Sequence, residues 1–335
     1  MDIDAVYTWV DGNDPVWRTK KEKRLRELGY NVPETANHDS RFIQHDELKY
    51  SLRSLYRFAP WIRKVYIVTD NQIPSWFDVK NDWVKIVDHT EIFEDHSALP
   101  TFNSNAIETR LHRIPGLSEN YLYFNDDFFL GRPCAKRDFF SKDGKPFVFI
   151  EKRNLFTSVG KCKQQNDRVK NRNEYKAGLT NSRLLVESLT GKYCKVIISH
   201  GVQTFTKSYV NMISKLFELD YTKTTMSPFR TFRDVQSFSL HHFYTLVTGN
   251  SVLRRTPEIR SRKHFIQNII SRCSKYLYKY IVLDSKLLES YIANLKKYDH
   301  FMFCINDDNN APEEAYKIVT KFLHDFYPDK SPAEL

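Results

Sequence analysis

Short β-branched and aromatic runs alternate with helical stretches of ten or more residues, and this alternation restricts the fold more than any other feature. Ala5–Val10 (AVYTWV), Val65–Thr69 (VYIVT), Val84–Val87 (VKIV), Tyr121–Phe124 (YLYF), Val196–Ser199 (VIIS) and Phe301–Ile305 (FMFCI) read as strands. Asp46–Phe58 places Leu48, Leu52, Leu55 and Phe58 at steps of three and four, one face of a helix that Pro60 closes. Val16–Leu28, Asn103–His112, Tyr209–Phe217, Val235–Val247 and Glu313–Phe326 are further helical stretches. The order predicts an α/β fold: a mostly parallel, Rossmann-like sheet flanked by helices.

The 335 residues suffice for two domains or one large α/β domain with insertions. Residues 1–150 read as the N-terminal part of the core and 151–195 as a basic loop or insertion. Residues 196–335 read as its C-terminal part, with a basic helical region over 252–297 and a closing strand and helix. Within these, Lys152–Lys176 and Arg254–Lys279 each carry eight Lys or Arg. The first region suits a loop that guides a polyanion. The second mixes charge with Phe265, Ile266, Ile269 and Ile270, the composition of a helix lying on an anionic membrane surface.

Charge and cysteine usage remove several classes. There are 51 Lys and Arg against 41 Asp and Glu, a net charge of +10, and 41% hydrophobic residues argue against disorder or a fibrous repeat. Five scattered cysteines without a Cys-x-x-Cys pair give no zinc knuckle and no disulfide framework. The acidic Met1-Asp2-Ile3-Asp4 start lacks signal-peptide character, and no run of about 18 apolar residues occurs. The expected location is cytoplasmic, with peripheral contact at the inner face of the plasma membrane.

Four strand candidates end in acids: Asp11, Asp70, Asp126-Asp127 and Asp307-Asp308. Ligands of open parallel sheets bind beyond the carboxyl ends of the strands. Carboxylates gathered there repel one another and call for a proton or a cation. Asp is also a common turn residue after a strand. Asn-Asp-Asp, however, recurs after two apolar strands, at Asn125 and Asn306, which a solvated turn does not explain. Oxygen donors without paired His or Cys favour Mg²⁺ or Mn²⁺ bridging to a substrate phosphate. Acids at this edge would repel a nucleic-acid backbone, and no nucleic-acid motif is present, so no nucleic-acid partner is expected.

The same segments carry a family resemblance. Tyr7-Thr8-Trp9-Val10-Asp11-Gly12-Asn13-Asp14-Pro15 resembles the first block of the Stealth family of sugar-phosphate transferases. That family includes bacterial capsule and exopolysaccharide phosphotransferases and the precursor of the lysosomal-enzyme GlcNAc-1-phosphotransferase. Arg41-Phe42, Asp46–Leu55, Ala59-Pro60-Trp61, Ile67–Trp76, Leu99–Ser104, Ile107-Glu108 and Tyr123–Asp127 resemble the second block. Ser199-His200, Lys207, Arg230 and Asp234-Val235-Gln236 resemble the third, and Cys304–Asp308 with Phe326–Ser331 the fourth. Two departures stand out. Gly201-Val202-Gln203 replaces a frequent proline and second histidine, and the last block ends Ser331-Pro332-Ala333-Glu334 where Ser-x-Phe-Glu is frequent, which bears on end packing.

The resemblance implies transfer of hexose-1-phosphate or N-acetylhexosamine-1-phosphate from a UDP-sugar to a hydroxyl of a growing glycan or lipid-linked acceptor. The product would be a phosphodiester of capsular or surface polysaccharide, with release of UMP. The alternative is a metal-dependent glycosyltransferase that moves the sugar alone and releases UDP. On the first reading His200 is the general-base candidate, and Arg230 grips the transferred phosphoryl group, with Arg233 a weaker candidate. Asp126, Asp127 and Asp307 are placed at Mg²⁺ or Mn²⁺, and Asp127 or Asp307 is open to a catalytic role as well. Asp11, Asn103, Arg113 and Lys207 are expected to line the substrate site. Arg41, Glu47 and Arg53 fit a buried ion-pair network as well as ligand contact. Trp9 and Trp76 are read as core.

Overall fold

The computed structural model describes residues 1–38, 41–150, 159–160, 173–255, 279–283, 286–297, 300–306 and 311–335. Most of both basic regions, together with Asp307 and Asp308, lies outside the described residues.

A five-stranded sheet organises the chain, with β1 (Ile3–Thr8), β2 (Val65–Thr69), β3 (Val84–Asp88), β4 (Asn120–Asn125) and β9 (Gln203–Thr206) in the order β3-β2-β1-β4-β9. The first four run parallel and β9 is antiparallel to β4. The mostly parallel α/β expectation is met. Pairing of β4 with β9 puts the N- and C-terminal parts of the core in one sheet. β1 and β2 are buried almost throughout, as parallel strands covered on both faces must be.

α3 (Glu47–Phe58) lays Leu48, Leu52, Leu55 and Phe58 into the main core with Tyr7, Ile67 and Phe124. α1 (Pro15–Glu27) has little apolar surface and holds by Trp17 and Leu25 against Phe42 and Phe102. Its start is well specified: Asp14 Oδ1 accepts from Val16 N at 2.8 Å, and Pro15 supplies the first helical position.

β12 (Met302–Asn306) is not in the main sheet. It joins β11 (Lys279–Val282) and β5 (Phe128–Leu130) in a three-stranded sheet. β5 directly follows Asp126-Asp127 and pairs antiparallel with β12 through Cys304↔Phe128. β12, from a different sheet, therefore runs beside the strand that follows Asp126-Asp127.

Three further expectations change. The VIIS run, Val196–Ser199, is no regular strand and makes one isolated bridge, Ile198 to Ile150. The segment expected to be a basic loop ends in α6 (Glu174–Thr190), which buries Gly178, Thr180 and Ser182. A Cβ on Gly178 would stand 3.2 Å from Gln236 Cγ, so small residues set the approach to that segment. Val252–Arg255, at the start of the expected basic helix, is β10, paired with β6 (Phe147–Ile150).

Candidate functional site

The strand order reverses between β1 and β4, so the crevice beyond their carboxyl ends is the topological switch point. Register places Thr8 beside Asn125 there, and Thr8 Oγ1 and the Tyr123 hydroxyl hydrogen-bond at 2.9 Å.

Asp11 follows β1 on a tightly held loop. Its N–H donates to Gln72 Oε1 at 3.0 Å, and Gln72 Nε2 donates to Asp11 O at 2.9 Å and Asp14 Oδ2 at 3.0 Å. One Asp11 oxygen accepts from Asn13 N. Gly12 donates its N–H to Phe42 O at 2.7 Å, and a Cβ there would lie 2.5 Å from that oxygen. Only glycine permits this approach.

Asp126 and Asp127 follow β4. Burial raises the pKa of Asp126, and the carboxylate of Glu47, at the head of α3, raises it further. Asp127 is raised by burial and by Asp126. Cys304 Sγ donates to Asp127 Oδ2 at 3.0 Å, and Ile305 N donates to Asp127 O at 3.2 Å. Asp127 Oδ1 is buried with no hydrogen-bond partner among the described residues.

His200 joins this group. A carboxylate oxygen of Asp127, a ring nitrogen of His200 and the Cys304 sulfur lie within 4.8 Å of one another. The imidazole meets Phe128 edge-on, ring centroids 5.1 Å apart. Burial, then the Arg230 cation, lowers its pKa to about 4. An ordinary imidazole titrates near neutrality; desolvation overrides that here.

Arg230 donates from Nη2 to Ser104 Oγ at 2.5 Å. Its charge also acts on Arg41, lowered to about 10 by burial and then by Arg230, and on Glu108. Glu108 is a buried carboxyl on α5 (Ser104–Glu108), raised to about 7 by burial, against which Arg230, Tyr123 and Ser104 act. Its Oε2 has no hydrogen-bond partner among the described residues. Two guanidinium groups repelling each other beside acids form a natural seat for a phosphate.

The other expected site residues lie apart from this group. Asn103 is fully buried: its Nδ2 donates to Asp234 Oδ2 at 2.8 Å and Ser227 O at 3.1 Å, and its Oδ1 caps Asn105 N. The side chain is spent on tying α5 to the Arg230 segment and is not presented to a ligand. Arg113 pairs with Glu94 and lines a separate surface cleft with Thr90, Glu91 and His96. Lys207 follows β9, whose last residue Thr206 stands opposite Asn120, the first residue of β4. It sits at the opposite edge of the sheet from Asp126 and donates to Leu117 O at 3.4 Å. Antiparallel β9 carries it there, its four residues spanning about 13 Å. Trp9 is in the core and Trp76 packs against it half-buried.

Glu108, Cys304 and Gln203 are close to the site or its support but had no site role in the sequence reading. Glu108 carried a signal, an acid in a motif block, but its burial is a tertiary fact. Burial and the carboxylates of Asp127 and Asp126 push the Cys304 thiol pKa well up. The thiol is a neutral donor to Asp127. Glu47 raises Asp126 and Asp126 raises Asp127, a like-charge chain that a hard divalent cation would relieve, and the unpartnered Asp127 Oδ1 supplies a free acceptor.

Fold and crevice define an α/β chain with an acid-rich switch point flanked by arginines. Residues 1–29 match the family model Stealth protein CR1, conserved region 1, and residues 41–148 match Stealth protein CR2, conserved region 2. The chain belongs to the Stealth family. An exopolysaccharide phosphotransferase of Streptomyces coelicolor is 35% identical over 99% of this chain and 33% of its own length. A second from that organism is 37% identical over 99% of this chain and 52% of its own. The exopolysaccharide phosphotransferase CpsY of Mycobacterium tuberculosis is 34% identical over 100% of this chain and 58% of its own. The chain thus spans about a third to under six-tenths of these relatives. No helix among the described residues is long and apolar enough to cross a membrane.

Proposed function

We propose that the chain transfers a sugar-1-phosphate from a UDP-sugar to a glycan hydroxyl, forming a phosphodiester of a surface polysaccharide and releasing UMP. The observation that carries this reading is the convergence of His200, Asp127 and Arg230 on one crevice. The relatives' names, exopolysaccharide phosphotransferase, agree with it.

The acceptor oxygen attacks the sugar-bearing phosphorus, its proton passes to His200, and the bond from that phosphorus to the bridging oxygen of UMP breaks. The anomeric C–O bond stays intact. Such transfer depends on positioning and charge neutralisation. Arg230, with Arg41 beside it, holds the non-bridging oxygens. Neutralising Arg230 with the anionic donor removes a charge that depresses His200, so donor binding strengthens the base. Mg²⁺ or Mn²⁺ held by Asp126 and Asp127 would neutralise charge on the donor diphosphate.

The test is to incubate the chain with UDP-hexoses, UDP-N-acetylhexosamines and candidate glycans in Mg²⁺ or Mn²⁺. UMP and a phosphorus-linked product are expected. UDP with a phosphate-free glycoside would replace this reading with ordinary glycosyl transfer.

Cation binding has its own signature. Asp126 and Asp127 titrate higher folded than unfolded, where Asp ionises near about 3.9. Their protons stabilise the fold at low pH, and that contribution fades as pH rises through the folded values. A cation replaces those protons, so its thermal stabilisation should grow from pH 6 to pH 8. A shift in melting temperature that is absent or independent of pH contradicts the assignment.

A further inference from the structure

His200 lies three residues before β9, in a segment without regular secondary structure. A general base there needs something to hold it, and Gln203 is placed to do so. Its Nε2 donates to Ser199 O at 2.8 Å and to Gly201 O at 2.6 Å, the two carbonyls that flank His200. Both hydrogens of the amide are thereby used, and Oε1 must face the other way as an acceptor. It meets His242 Nε2 at 3.0 Å.

That geometry determines the protons on two buried histidines of α9 (Ser237–Val247). His242 Nε2 must carry a proton, so in the neutral ring Nδ1 is an acceptor. His241 Nδ1, 3.2 Å away, must then donate to it. Both rings are fully buried and pack on Phe205 of β9, with centroids 4.8 and 5.1 Å from it. Gln203 itself stands opposite Tyr123 of β4. The chain of bonds therefore refers the His200 turn to the same strand that carries Asp126 and Asp127.

We propose that Gln203, oriented by His242, is the positioning residue for His200 in this chain, which lacks the proline and second histidine frequent at this point in the family. The inference rests on the base role proposed for His200, and two readouts separate the claims. Gln203→Met keeps the length of the side chain but leaves two carbonyls and the His242 N–H unpaired. Gln203→Glu keeps an acceptor for His242 but loses both donors.

Hydrogen exchange reads the clasp without reference to activity. Amides of residues 200–202 should exchange at least about 10-fold faster in both variants, with His200→Ala close to the parent. Unchanged exchange in either correctly folded variant overturns the proposal. Turnover reads the consequence. Each variant should lose about 10- to 10²-fold in kcat with little change in donor KM, the scale expected for a misplaced catalytic group. Placed on His200→Ala, the same substitutions should cost nothing further, because a residue acting through His200 has nothing left to position. An equal loss in both backgrounds would mark Gln203 as merely structural. Normal turnover in His200→Ala would remove the base assignment, while exchange would still decide the clasp.

Discussion

His200→Ala and Arg230→Ala each lower turnover by about 10²-fold or more while leaving the fold intact. The two side chains act on one event from opposite sides: one takes the proton of the attacking hydroxyl, the other neutralises the phosphoryl oxygens. Neither fills the apolar core, so neither removal opens a large cavity. The melting temperature should stay near that of the parent. Either variant turning over normally, correctly folded, ends the role assigned to it.

The pH profile distinguishes them. His200 works as a base only when neutral, and its pKa of about 4 is set first by burial and second by Arg230. With the cation saturating at every pH, activity therefore rises with pH through that value. Removing the Arg230 cation lifts the pKa, so the acid limb of kcat/KM should move to higher pH in Arg230→Ala. In His200→Ala that limb should disappear. Glu108 gives a parallel effect, because the same cation opposes its raised pKa. Without Arg230, Glu108 holds its proton to still higher pH.

Local pattern and long-range geometry divided what could be read in advance. α3 was legible because its apolar residues recur at helical spacing and face one core. The switch point was legible because acids end β1 and β4, which prove to be neighbours. α6 was not, because four of its buried residues are Glu174, Gly178, Thr180 and Ser182, which interrupt the hydrophobic period left by Ala177 and Val186. Lys207 shares a motif block with His200 and was expected at the substrate site, yet the four antiparallel residues of β9 carry it to the far edge of the sheet. Glu108 and Gln203 owe their importance to side chains more than a hundred residues away or on another element, as with Arg230 acting on Glu108. Residue type and local spacing hold no record of such contacts.

The largest loss of stability should come from the pair Arg53 and Glu334, which closes the chain on itself across 281 residues. Arg53 Nε and Nη2 grip the Glu334 carboxylate at 2.9 and 2.6 Å, and both side chains are under a tenth exposed. Arg53 Nη1 donates to Tyr327 O at 2.9 Å, and Ser331 N donates to Glu334 Oε1 at 2.8 Å. Burial alone would raise the Glu334 pKa, but Arg53 and Ser331 outweigh it and hold it below the usual value. The contact seats the last residues against α3 and the segment between β2 and β3, where Asp78 N donates to Ala333 O and Leu335 N to Trp76 O. Glu334→Gln or Arg53→Met alone leaves one buried charge uncompensated and should cost about 3–5 kcal/mol in urea unfolding. The double variant should cost less than the sum of the two, since it buries no lone charge. In the parent, this contribution is present above the unfolded carboxyl pKa and fades as pH falls through the lower folded value. Acid should therefore narrow the gap between parent and Glu334→Gln. Single variants within about 1 kcal/mol of the parent at neutral pH, where exposed pairs fall, would show that the terminal contact adds nothing to the core beneath it.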